Sequence, residues 1–346
     1  MSTTYFVTGG AGFIGSHLTD ALVAERNHVI VLDDLSTGRR ANLEGALASG
    51  RVEFVEGTAL DAGTVENCMR RADVCIHLAA WVGVKRIVGH PLAALRGNVL
   101  GTDVVLAAAA RHDCRLLFAS SSEVYGKLNQ AGLGEDSDRL LGSPAKSRWS
   151  YAIAKEFGEA LAHAYAQERG LEMIVARLFN TVGPRQASSY GMVLPRFVHQ
   201  ALAGEPLTVY GDGTQTRCFT DVHDVVRALG QLVASDVAAG KTFNVGSHTP
   251  TRVVDLANRV IERTGSSSEI VFVPYRQAYT DGFEELGNRA PDASALRALS
   301  GWTPQWPLEQ TIDAVVAHER DQALVRTRSE ALAVGSALPT RGRAAA

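Results

Sequence analysis

A glycine-rich segment near the N-terminus constrains the fold of this chain more than any other feature of its sequence. A short apolar run ends just before it, Gly9, Gly12 and Gly15 recur at every third position, and a helical pattern starts at Phe13. Glycines at a strand-to-helix turn let backbone N–H groups approach a pyrophosphate, and the helix N-terminus adds positive dipole character. Because the spacing falls at the first such turn of the chain, it predicts a dinucleotide-binding site. The alternative is a purely structural turn.

Apolar runs and helical patterns alternate along the first half of the chain. The runs at 28–32, 52–55, 74–78 and 116–119 predict strands, and helical stretches separate them, the longest at about 92–111. Strands that alternate with helices form βαβ units, whose parallel sheet is covered by helices on both faces. We therefore predict an α/β fold with a Rossmann-type, doubly wound parallel sheet.

The character of the sequence changes after about residue 179, where glycine and proline divide the chain into shorter pieces. This change predicts a smaller C-terminal α/β lobe that holds the substrate. We place the dinucleotide-binding domain at 1–178 and the substrate lobe at 179–326, with some segments exchanging between them. Residues 327–346 are rich in alanine, arginine, serine and glycine without periodicity, and we predict a disordered tail there.

Composition excludes several classes of protein. Of the 346 residues, 46% are hydrophobic, so the chain can bury a sizeable core and is not disordered as a whole. The formal net charge of −3 gives no electrostatic reason to bind nucleic acid or an anionic membrane. We find no apolar run long enough to predict a membrane-spanning helix, no N-terminal signal pattern and no metal-ligand or disulfide spacing. We expect a cytoplasmic enzyme without a metal.

Asp33 lies eighteen residues after Gly15, at the predicted end of the second strand. A carboxylate at this place accepts hydrogen bonds from an adenosine ribose diol and repels a 2′-phosphate, which favours NAD over NADP. Arg39 and Arg40 follow closely and keep NADP as an alternative. A helix-capping role is the other interpretation of Asp33.

Tyr151 and Lys155 stand four residues apart on a predicted helix, so a phenol and an ammonium group share one face. We expect the cation to stabilise the phenolate and to lower the pKa of Tyr151 from an ordinary value of about 10. The phenolate can then take a proton from a sugar hydroxyl. Ser121 follows a predicted strand, at the sheet edge where open α/β sheets bind ligands, and its hydroxyl can hold the substrate oxygen beside the phenol.

These motifs together resemble the extended short-chain dehydrogenase/reductases, a family of nucleotide-sugar epimerases, dehydratases and decarboxylases. The resemblance covers about residues 4–320. It rests on the residues above and on three further segments, His77–Ala80, Leu178–Arg185 and Tyr210–Arg217. It implies a bound NAD, a UDP-sugar substrate, and a homodimer formed through the helices near 92–111 and 151–169.

The resemblance also implies which residues contact the cofactor. Asn98 and Lys155 reach the nicotinamide ribose region, and Thr37 and Gly38 reach the adenosine. A departure from the family occurs at 58–59, where many relatives place an acidic residue that contacts the adenine amine. The predicted cofactor residues are Gly9, Gly12, Phe13, Ile14, Gly15, Asp33, Thr37, Gly38, Thr58, Ala59, Leu78, Ala79, Ala80, Asn98, Tyr151 and Lys155.

Substrate contacts follow from the same resemblance. Asn180 contacts the sugar diphosphate, Arg217 holds a phosphate or the sugar, and Tyr210 lies against the nucleotide base. The predicted substrate residues are Lys85, Asn180, Arg185, Val193, Thr208, Tyr210, Arg217 and Arg289.

The stretch that follows the shared serine separates the reactions of the family. Members first oxidise C4 of the sugar, and the 4-keto sugar then rotates, loses water or loses carbon dioxide. In dehydratases Asp and then Glu follow the serine, whereas here Ser122 replaces the acid that expels the C6 hydroxyl, which disfavours dehydration. The Ser122-Glu123 pair resembles the UDP-glucuronate decarboxylases, as does Arg148-Trp149 before Tyr151.

We therefore predict oxidation of UDP-glucuronate at C4 and decarboxylation of the resulting β-keto acid. Glu123 and Ser122 orient the carboxylate, and Arg217 or Arg185 stabilises the enolate that forms when carbon dioxide leaves. The product is UDP-xylose, or a UDP-4-keto-pentose if NADH leaves early. The predicted catalytic residues are Ser121, Ser122, Glu123, Tyr151, Lys155 and Arg217.

Two alternative functions stay open. The segment Ala80–Arg86 is more like epimerase sequences, and Gly287-Asn-Arg289 keeps only part of an arginine-rich run, so the alternative reaction is 4-epimerisation of UDP-glucuronate or UDP-glucose. A non-catalytic NAD-sensing or scaffold protein is the alternative of a different class. Structural roles are the alternative for single residues: Glu123 can bond nearby backbone or a lysine, and Arg148 is expected on a solvated face.

Overall fold

The computed structural model describes residues 2–188, 191–278, 284 and 288–336, and for residues 84, 85, 131 and 325–336 it describes the backbone alone. The strands are β1 (Thr4–Thr8), β2 (His28–Asp33), β3 (Val52–Glu56), β4 (Val74–His77), β5 (Arg115–Ser121), β6 (Gln130–Leu133), β7 (Met173–Leu178), β8 (Thr181–Val182), β9 (Leu207–Tyr210), β10 (Thr216–Cys218), β11 (Thr220–Asp221), β12 (Thr242–Val245), β13 (Pro250–Arg252), β14 (Ile270–Val273) and β15 (Arg289–Pro291). The helices are α1 (Phe13–Ala24), α2 (Glu44–Ala48), α3 (Ala62–Met69), α4 (Val84–Gly89), α5 (Pro91–Arg111), α6 (Ser150–Arg169), α7 (Val193–Ala203), α8 (Val222–Val233), α9 (Val253–Thr264), α10 (Tyr275–Ala278), α11 (Ser294–Ser300) and α12 (Leu308–Ser336).

Seven of the strands form one sheet in the order β12-β7-β5-β4-β1-β2-β3. All six neighbouring pairs run parallel, and Phe6 of β1 pairs with Ile30 on one side and Cys75 on the other. The chain winds from β1 to β3 in one direction and then from β4 to β12 in the other. This confirms the predicted doubly wound sheet, and the reversal between β1 and β4 opens a crevice at their carboxyl ends.

Helices cover both faces of this sheet. On one face, Leu18 of α1 and Val225 of α8 lie in the core with the strands. On the other face, Val105 of α5 and Ala162 of α6 do the same. Strands that are buried on both faces are apolar at nearly every position, as in Val29–Leu32, and this is why continuous apolar runs marked them in the sequence.

The second lobe has a core of its own between α7, α9 and α12. Phe197, Leu256 and Ile312 are fully buried there. Its strands form a four-stranded sheet in the order β13-β10-β15-β6 and two pairs, β11-β8 and β14-β9. A smaller α/β lobe therefore follows the large sheet, as the change in sequence character predicted.

The chain crosses between the two lobes more than once. It leaves the large sheet at Leu178, the end of β7, but β12 returns and pairs with β7, because Phe243 and Val245 complete the apolar edge of that sheet. In the opposite sense, β6 lies in the first half of the sequence and joins the small sheet beside β15. Position 178 is thus one of several crossings between the lobes and not a clean boundary.

Helix α12 extends to Ser336, ten residues into the segment for which we predicted a disordered tail. The backbone of residues 327–336 is helical in the structure, and the disorder of the tail stays a prediction. Ile312 and Val316 anchor the start of the helix in the second core, and alanine, leucine, glutamate and arginine then favour its continuation. The rest of the predicted tail, 337–346, lies outside the described residues.

Helix α5 is apolar and long enough to cross a membrane by length and composition, although the sequence had predicted no such segment. In its most apolar stretch, 44% is buried inside the fold, where the helix packs between α3 and α6. A core helix of this kind passes the same test, so the composition of α5 is weak evidence for a membrane span.

Candidate active site

A cavity of about 370 Å³ lies at the carboxyl edge of the large sheet. The turns after β1, β2, β3, β4 and β5 form most of its wall, and Tyr151 and Lys155 of α6 complete that side. The second lobe contributes Asn180, Thr181, Gln186, Gly191, Met192 and Arg289. The cavity therefore lies where the winding of the sheet reverses and where the two lobes meet.

The turn between β1 and α1 leaves no room for side chains at two of its glycines. Gly9 has φ +71°, and a Cβ there would lie 2.8 Å from the backbone nitrogen of Ala79. A Cβ on Gly15 would lie 2.2 Å from the carbonyl oxygen of Gly9. The bare backbone and the start of α1 thus form a cradle that fits a pyrophosphate, as the spacing predicted. Gly12, Phe13 and Ile14 line the cavity with them.

Asp33 ends β2 at the cavity wall, as predicted. Its carboxylate accepts hydrogen bonds from the backbone N–H groups of Ala11 (3.0 Å) and Leu35 (2.8 Å). Burial raises the pKa of Asp33, and these N–H groups oppose that shift. Gly38 lies against the same carboxylate, since a Cβ at that position would lie 2.8 Å from Oδ1, and Thr37 lines the cavity. A carboxylate at this end of the cavity fits a ribose diol and would repel a 2′-phosphate.

Most of the other predicted cofactor residues also line the cavity. They are Thr58 and Ala59 after β3, and Leu78, Ala79 and Ala80 after β4. The glycine cradle, the acidic end of β2 and this wall together fit a dinucleotide.

Asn98 lies behind the wall of the cavity, and its contact with the nicotinamide ribose region stays a prediction. It does not line the described cavity, and its amide is bonded to the backbone of Trp81 on both sides, with N–H of Trp81 at 2.7 Å and C=O of Trp81 at 3.1 Å. Trp81 itself lines the cavity, and its indole fills the space beside Gly97, where a Cβ would lie 2.7 Å from Cδ1. Asn98 therefore positions a wall of the cavity.

The structure brings Ser121, Tyr151 and Lys155 together. Ser121 ends β5, and its hydroxyl is hydrogen-bonded to the phenol of Tyr151. Lys155 is buried, donates to the carbonyl oxygen of Ala119 at 2.7 Å and lies 5.9 Å from the centre of the Tyr151 ring. Helix α6 thus carries the phenol and the ammonium group on the face that meets the end of β5.

The expected lowering of the Tyr151 pKa is wrong for this arrangement. Burial and the negative charge of Glu123 raise the pKa of Tyr151, and they outweigh the hydrogen bond from Ser121 and the charge of Arg148. Burial also lowers the pKa of Lys155 to about 7, which Glu159 opposes. The four-residue spacing predicted that Tyr151 and Lys155 act together, but their burial decides the protonation state of each.

Glu123 lies beside the phenol in a cluster of arginines. Arg148 donates to both of its carboxylate oxygens, at 2.6 and 3.0 Å. Burial raises the pKa of Glu123, but the charges of Arg148, Arg289 and Arg217 together outweigh it, so the pKa is lowered. Neither structural alternative for Glu123, a bond to backbone or to a lysine, describes this environment.

Arg148 is a residue of the candidate site for which we predicted the wrong environment. We expected it on a solvated face, but its side chain is 5% exposed. The 3₁₀ turn Ser147–Trp149 precedes α6 and places Arg148 opposite Glu123. Its place three residues before Tyr151 was the available signal, because the start of the catalytic helix necessarily lies near the end of β5.

Ser122 and two predicted arginines lie around the same point. Ser122 is buried, and its carbonyl oxygen accepts a hydrogen bond from Nη1 of Arg289 at 2.8 Å. Arg217 of β10 is the strand partner of Arg289 in β15. Arg289 lines the cavity, as does Asn180, whose side chain donates to the carbonyl oxygen of Cys218 at 3.2 Å.

Five of the predicted substrate residues are not among those that line the described cavity: Arg185, Val193, Thr208, Tyr210 and Arg217. Arg185 forms an ion pair with Asp20 at 2.8 Å, and Thr208 is bonded to Gln200. Tyr210 lies 4.1 Å below the guanidinium of Arg196, and Val193 starts α7 directly after Met192, which does line the cavity. The side chain of Lys85 lies outside the described residues.

Comparison with known proteins agrees with this geometry. Residues 5–246 match the model of a family described as the NAD dependent epimerase/dehydratase family. A UDP-N-acetyl-alpha-D-glucosaminuronate decarboxylase of Bacillus cytotoxicus is 38% identical over 93% of this chain and 99% of its own length. UDP-glucuronic acid decarboxylase 1 of Xenopus tropicalis is 35% identical over 91% of this chain and 72% of its own length.

A solved structure is similar as well. The UDP-glucuronic acid 4-epimerase of Bacillus cereus, in complex with UDP-glucuronic acid and NAD, superposes with a TM-score of 0.83 at 26% identity. The alignment covers 92% of this chain and 99% of that one.

Proposed function

This chain belongs to the NAD dependent epimerase/dehydratase family, and we propose that it oxidises UDP-glucuronate at C4 and decarboxylates it to UDP-xylose, UDP-4-keto-pentose or both. NAD is its cofactor, held by the glycine cradle, Asp33 and the wall after β4. The names of the relatives support decarboxylation of a UDP-uronate, since both act as decarboxylases on such sugars.

One observation carries the choice of an acidic sugar. The charges of Arg148, Arg217 and Arg289 all lower the pKa of the Glu123 carboxylate, so three guanidinium groups lie around this point. It lies beside the Tyr151 phenol, where C4 of a sugar must be placed for a proton to be removed. Guanidinium groups form charge-assisted hydrogen bonds with a uronate carboxylate, whereas the neutral hydroxymethyl group of a hexose offers them no charge.

The protein's own residues account for the acid–base steps. Ser121 orients the C4 hydroxyl, and Tyr151 takes its proton, while the Lys155 ammonium group stabilises the phenolate. NAD⁺, which the glycine cradle and Asp33 would hold, would supply the acceptor for the hydride from C4. Once C4 is a carbonyl, the C5 carboxylate leaves as carbon dioxide and its bonding electrons move to the C4 oxygen as an enolate. Arg217 stabilises that oxygen, and a proton delivered to C5 gives the UDP-4-keto-pentose. UDP-xylose forms only if the hydride returns to C4 while Tyr151 gives its proton back to the C4 oxygen.

A 4-epimerase acting on UDP-glucuronate is the second candidate. The same arginines would hold its substrate's carboxylate, and the similar Bacillus cereus structure is an enzyme of that kind. The difference lies in whether the substrate carboxylate is held in the plane of the C4 carbonyl, which protects it, or perpendicular to that plane, which lets it leave.

We also propose that the protein is a cytoplasmic homodimer whose partner is a second copy and not a nucleic acid or a membrane. Leu100 of α5 and Phe157 of α6 support this, because they are 44% and 47% exposed on neighbouring helices. Light scattering after size exclusion tests the proposal, and F157E is expected to give monomers.

The function is tested by incubating the protein with UDP-glucuronate, with and without NAD⁺, and recording products by mass spectrometry. Loss of carbon dioxide supports the decarboxylase, and an unchanged mass with a new isomer by NMR replaces it with the epimerase. UDP-N-acetylglucosaminuronate is run in parallel, because the Bacillus cytotoxicus relative is named for it. If only that sugar is turned over, the proposed decarboxylation stands but the proposed substrate is replaced by the N-acetylated one.

A further inference from the structure

A buried ionic cluster lies behind the active site, and the mechanism above does not use it. Its centre is Glu159, which is 2% exposed and stands one helical turn after Lys155 on α6. A carboxylate is rarely so deeply buried unless it is paired and fully hydrogen-bonded.

Three side chains hold the carboxylate of Glu159. Arg177 of β7 donates to both oxygens, at 2.9 and 2.8 Å, and Arg139 donates to Oε2 at 3.0 Å. The hydroxyl of Ser120 donates to Oε1 at 2.5 Å. The carboxylate therefore accepts four hydrogen bonds, and three of them come from two cationic side chains.

The same helix face holds the end of β5 at two consecutive residues. Lys155 bonds the carbonyl oxygen of Ala119, and Glu159 bonds the side chain of Ser120. The next residue is Ser121, which contacts the Tyr151 phenol. The position of Ser121 relative to Tyr151 thus depends on both contacts.

We propose that Glu159 is a positioning residue for the Ser121–Tyr151–Lys155 group, fixing the end of β5 through Ser120 and supplying the negative charge that keeps Lys155 a cation. This inference rests on the proposed function, because the charge of Lys155 matters there as the support of the Tyr151 phenolate.

Among the groups that face Lys155, Glu159 carries the negative charge that stabilises the ammonium form. Tyr151 is on the same helix, and His77 faces Lys155 from β4, with a pKa that burial lowers to about 3, so it is neutral near pH 7. Burial lowers the pKa of Lys155 to about 7, and Glu159 opposes that shift. Arg177 and Arg139 face Glu159, so removing its carboxylate leaves positive charge behind and disfavours the Lys155 cation further.

The test is the titration of Lys155 in the full-length protein. Competitive labelling with trace acetic anhydride across a pH series, read by peptide mass spectrometry, gives the apparent pKa of this lysine without any substrate. E159Q is expected to lower it by about one pH unit, a roughly tenfold smaller ratio of charged to neutral lysine, and E159D is expected to restore most of it. The alkaline limb of UDP-glucuronate turnover should move to lower pH by a similar amount.

E156Q is the matched control, since Glu156 is adjacent to Lys155 on α6 but bonds Arg139 near the surface at 3.2 Å. E156Q should leave the apparent pKa of Lys155 unchanged. If E159Q does not fold, E159Q/R177Q removes both charges of the buried pair, and a smaller fall in the Lys155 pKa is expected because the positive charge of Arg177 is lost as well. An unchanged Lys155 pKa in whichever variant folds, or an equal shift in E156Q, overturns the proposal. Wild-type protein that fails to turn over UDP-glucuronate contradicts the proposed function instead, and the labelling result still decides the role of Glu159.

Discussion

The guanidinium of Arg148 and the carboxylate of Glu123 form two parallel hydrogen bonds, at 2.6 and 3.0 Å, beside the Tyr151 phenol. The pair joins the turn before α6 to the turn after β5, so it links the two elements that carry the catalytic groups. With its pKa lowered by the arginines, Glu123 is ionised near neutral pH and acts as a fixed negative charge.

Removing Arg148 should cost both stability and activity. R148M leaves Glu123 without its bidentate partner, and we expect the free energy of unfolding to fall by about 2 kcal/mol. The kcat/KM for UDP-glucuronate should fall at least about tenfold as Glu123 loses its orientation, with R148K intermediate because lysine cannot form the fork. Denaturant unfolding and steady-state kinetics measure the two effects. R111M is the control, because Arg111 pairs with Glu66 at the surface and should change stability by less than about 0.5 kcal/mol. Equal losses in the two variants would contradict a special role for Arg148.

Neutralising Glu123 should change the pH dependence of turnover in a defined direction. The negative charge of Glu123 raises the pKa of Tyr151, so E123Q should lower it. Since Tyr151 acts as a base in its deprotonated form, the acid limb of the kcat profile should move to lower pH. The maximal rate should nevertheless fall about a hundredfold, because the substrate carboxylate is no longer oriented. E135Q, whose carboxylate accepts from the backbone of Asn244 away from this site, should leave the limb in place. An acid limb that moves to higher pH in E123Q would show that Glu123 does not raise the pKa of Tyr151.

The glycine cradle can be tested with two substitutions of the same kind. G15A places a Cβ 2.2 Å from the Gly9 carbonyl oxygen, so the turn must move, and NAD binding should be lost together with thermal stability. In G45A the added Cβ meets no atom within 4 Å, and within α2 alanine is favoured over glycine by up to about 1 kcal/mol. Calorimetric titration with NAD and thermal melting measure both variants. Retained NAD affinity in G15A would refute the cradle as the pyrophosphate site.

His77 should make the fold sensitive to acid. It is buried between Thr8 and Thr102, at 2.7 and 3.2 Å, and burial lowers its pKa to about 3. The preference of the fold for neutral His77 therefore stabilises the protein fully above the pKa of the unfolded state, about 6.5. As the pH falls from there towards 3, this stabilisation is lost, at up to about 1.4 kcal/mol per pH unit. Urea unfolding at several pH values below neutrality gives the free energy of unfolding as a function of pH. This free energy should fall less steeply with decreasing pH in H77N than in the wild-type protein. H28N, at the exposed start of β2, should keep the wild-type slope, and an unchanged slope in H77N would assign the acid sensitivity elsewhere.

Much of the fold could be read from local sequence. The glycine spacing, the apolar runs and the four-residue interval of Tyr151 and Lys155 each reflect contacts within one turn, strand or helix. Such patterns are set by backbone geometry and periodicity, so they predicted the parallel sheet, the cradle and the face of α6. The positions of Asp33 and Ser121 at the ends of β2 and β5 were predicted as well, because parallel strands place their carboxyl ends at one edge of a sheet.

The tertiary structure alone decided which charges meet. Arg148 is buried against Glu123, Arg177 and Glu159 meet behind β5, and the Tyr151 pKa rises where spacing suggested a fall. The residues in each of the two ion pairs are far apart in the chain or on separate elements, and their protonation depends on burial, which no local pattern encodes. The sequence by itself determined the scaffold and the identity of the reacting groups. The packing of α6 and the second lobe onto the edge of the sheet determined their charge, because that packing sets how far each group is removed from water.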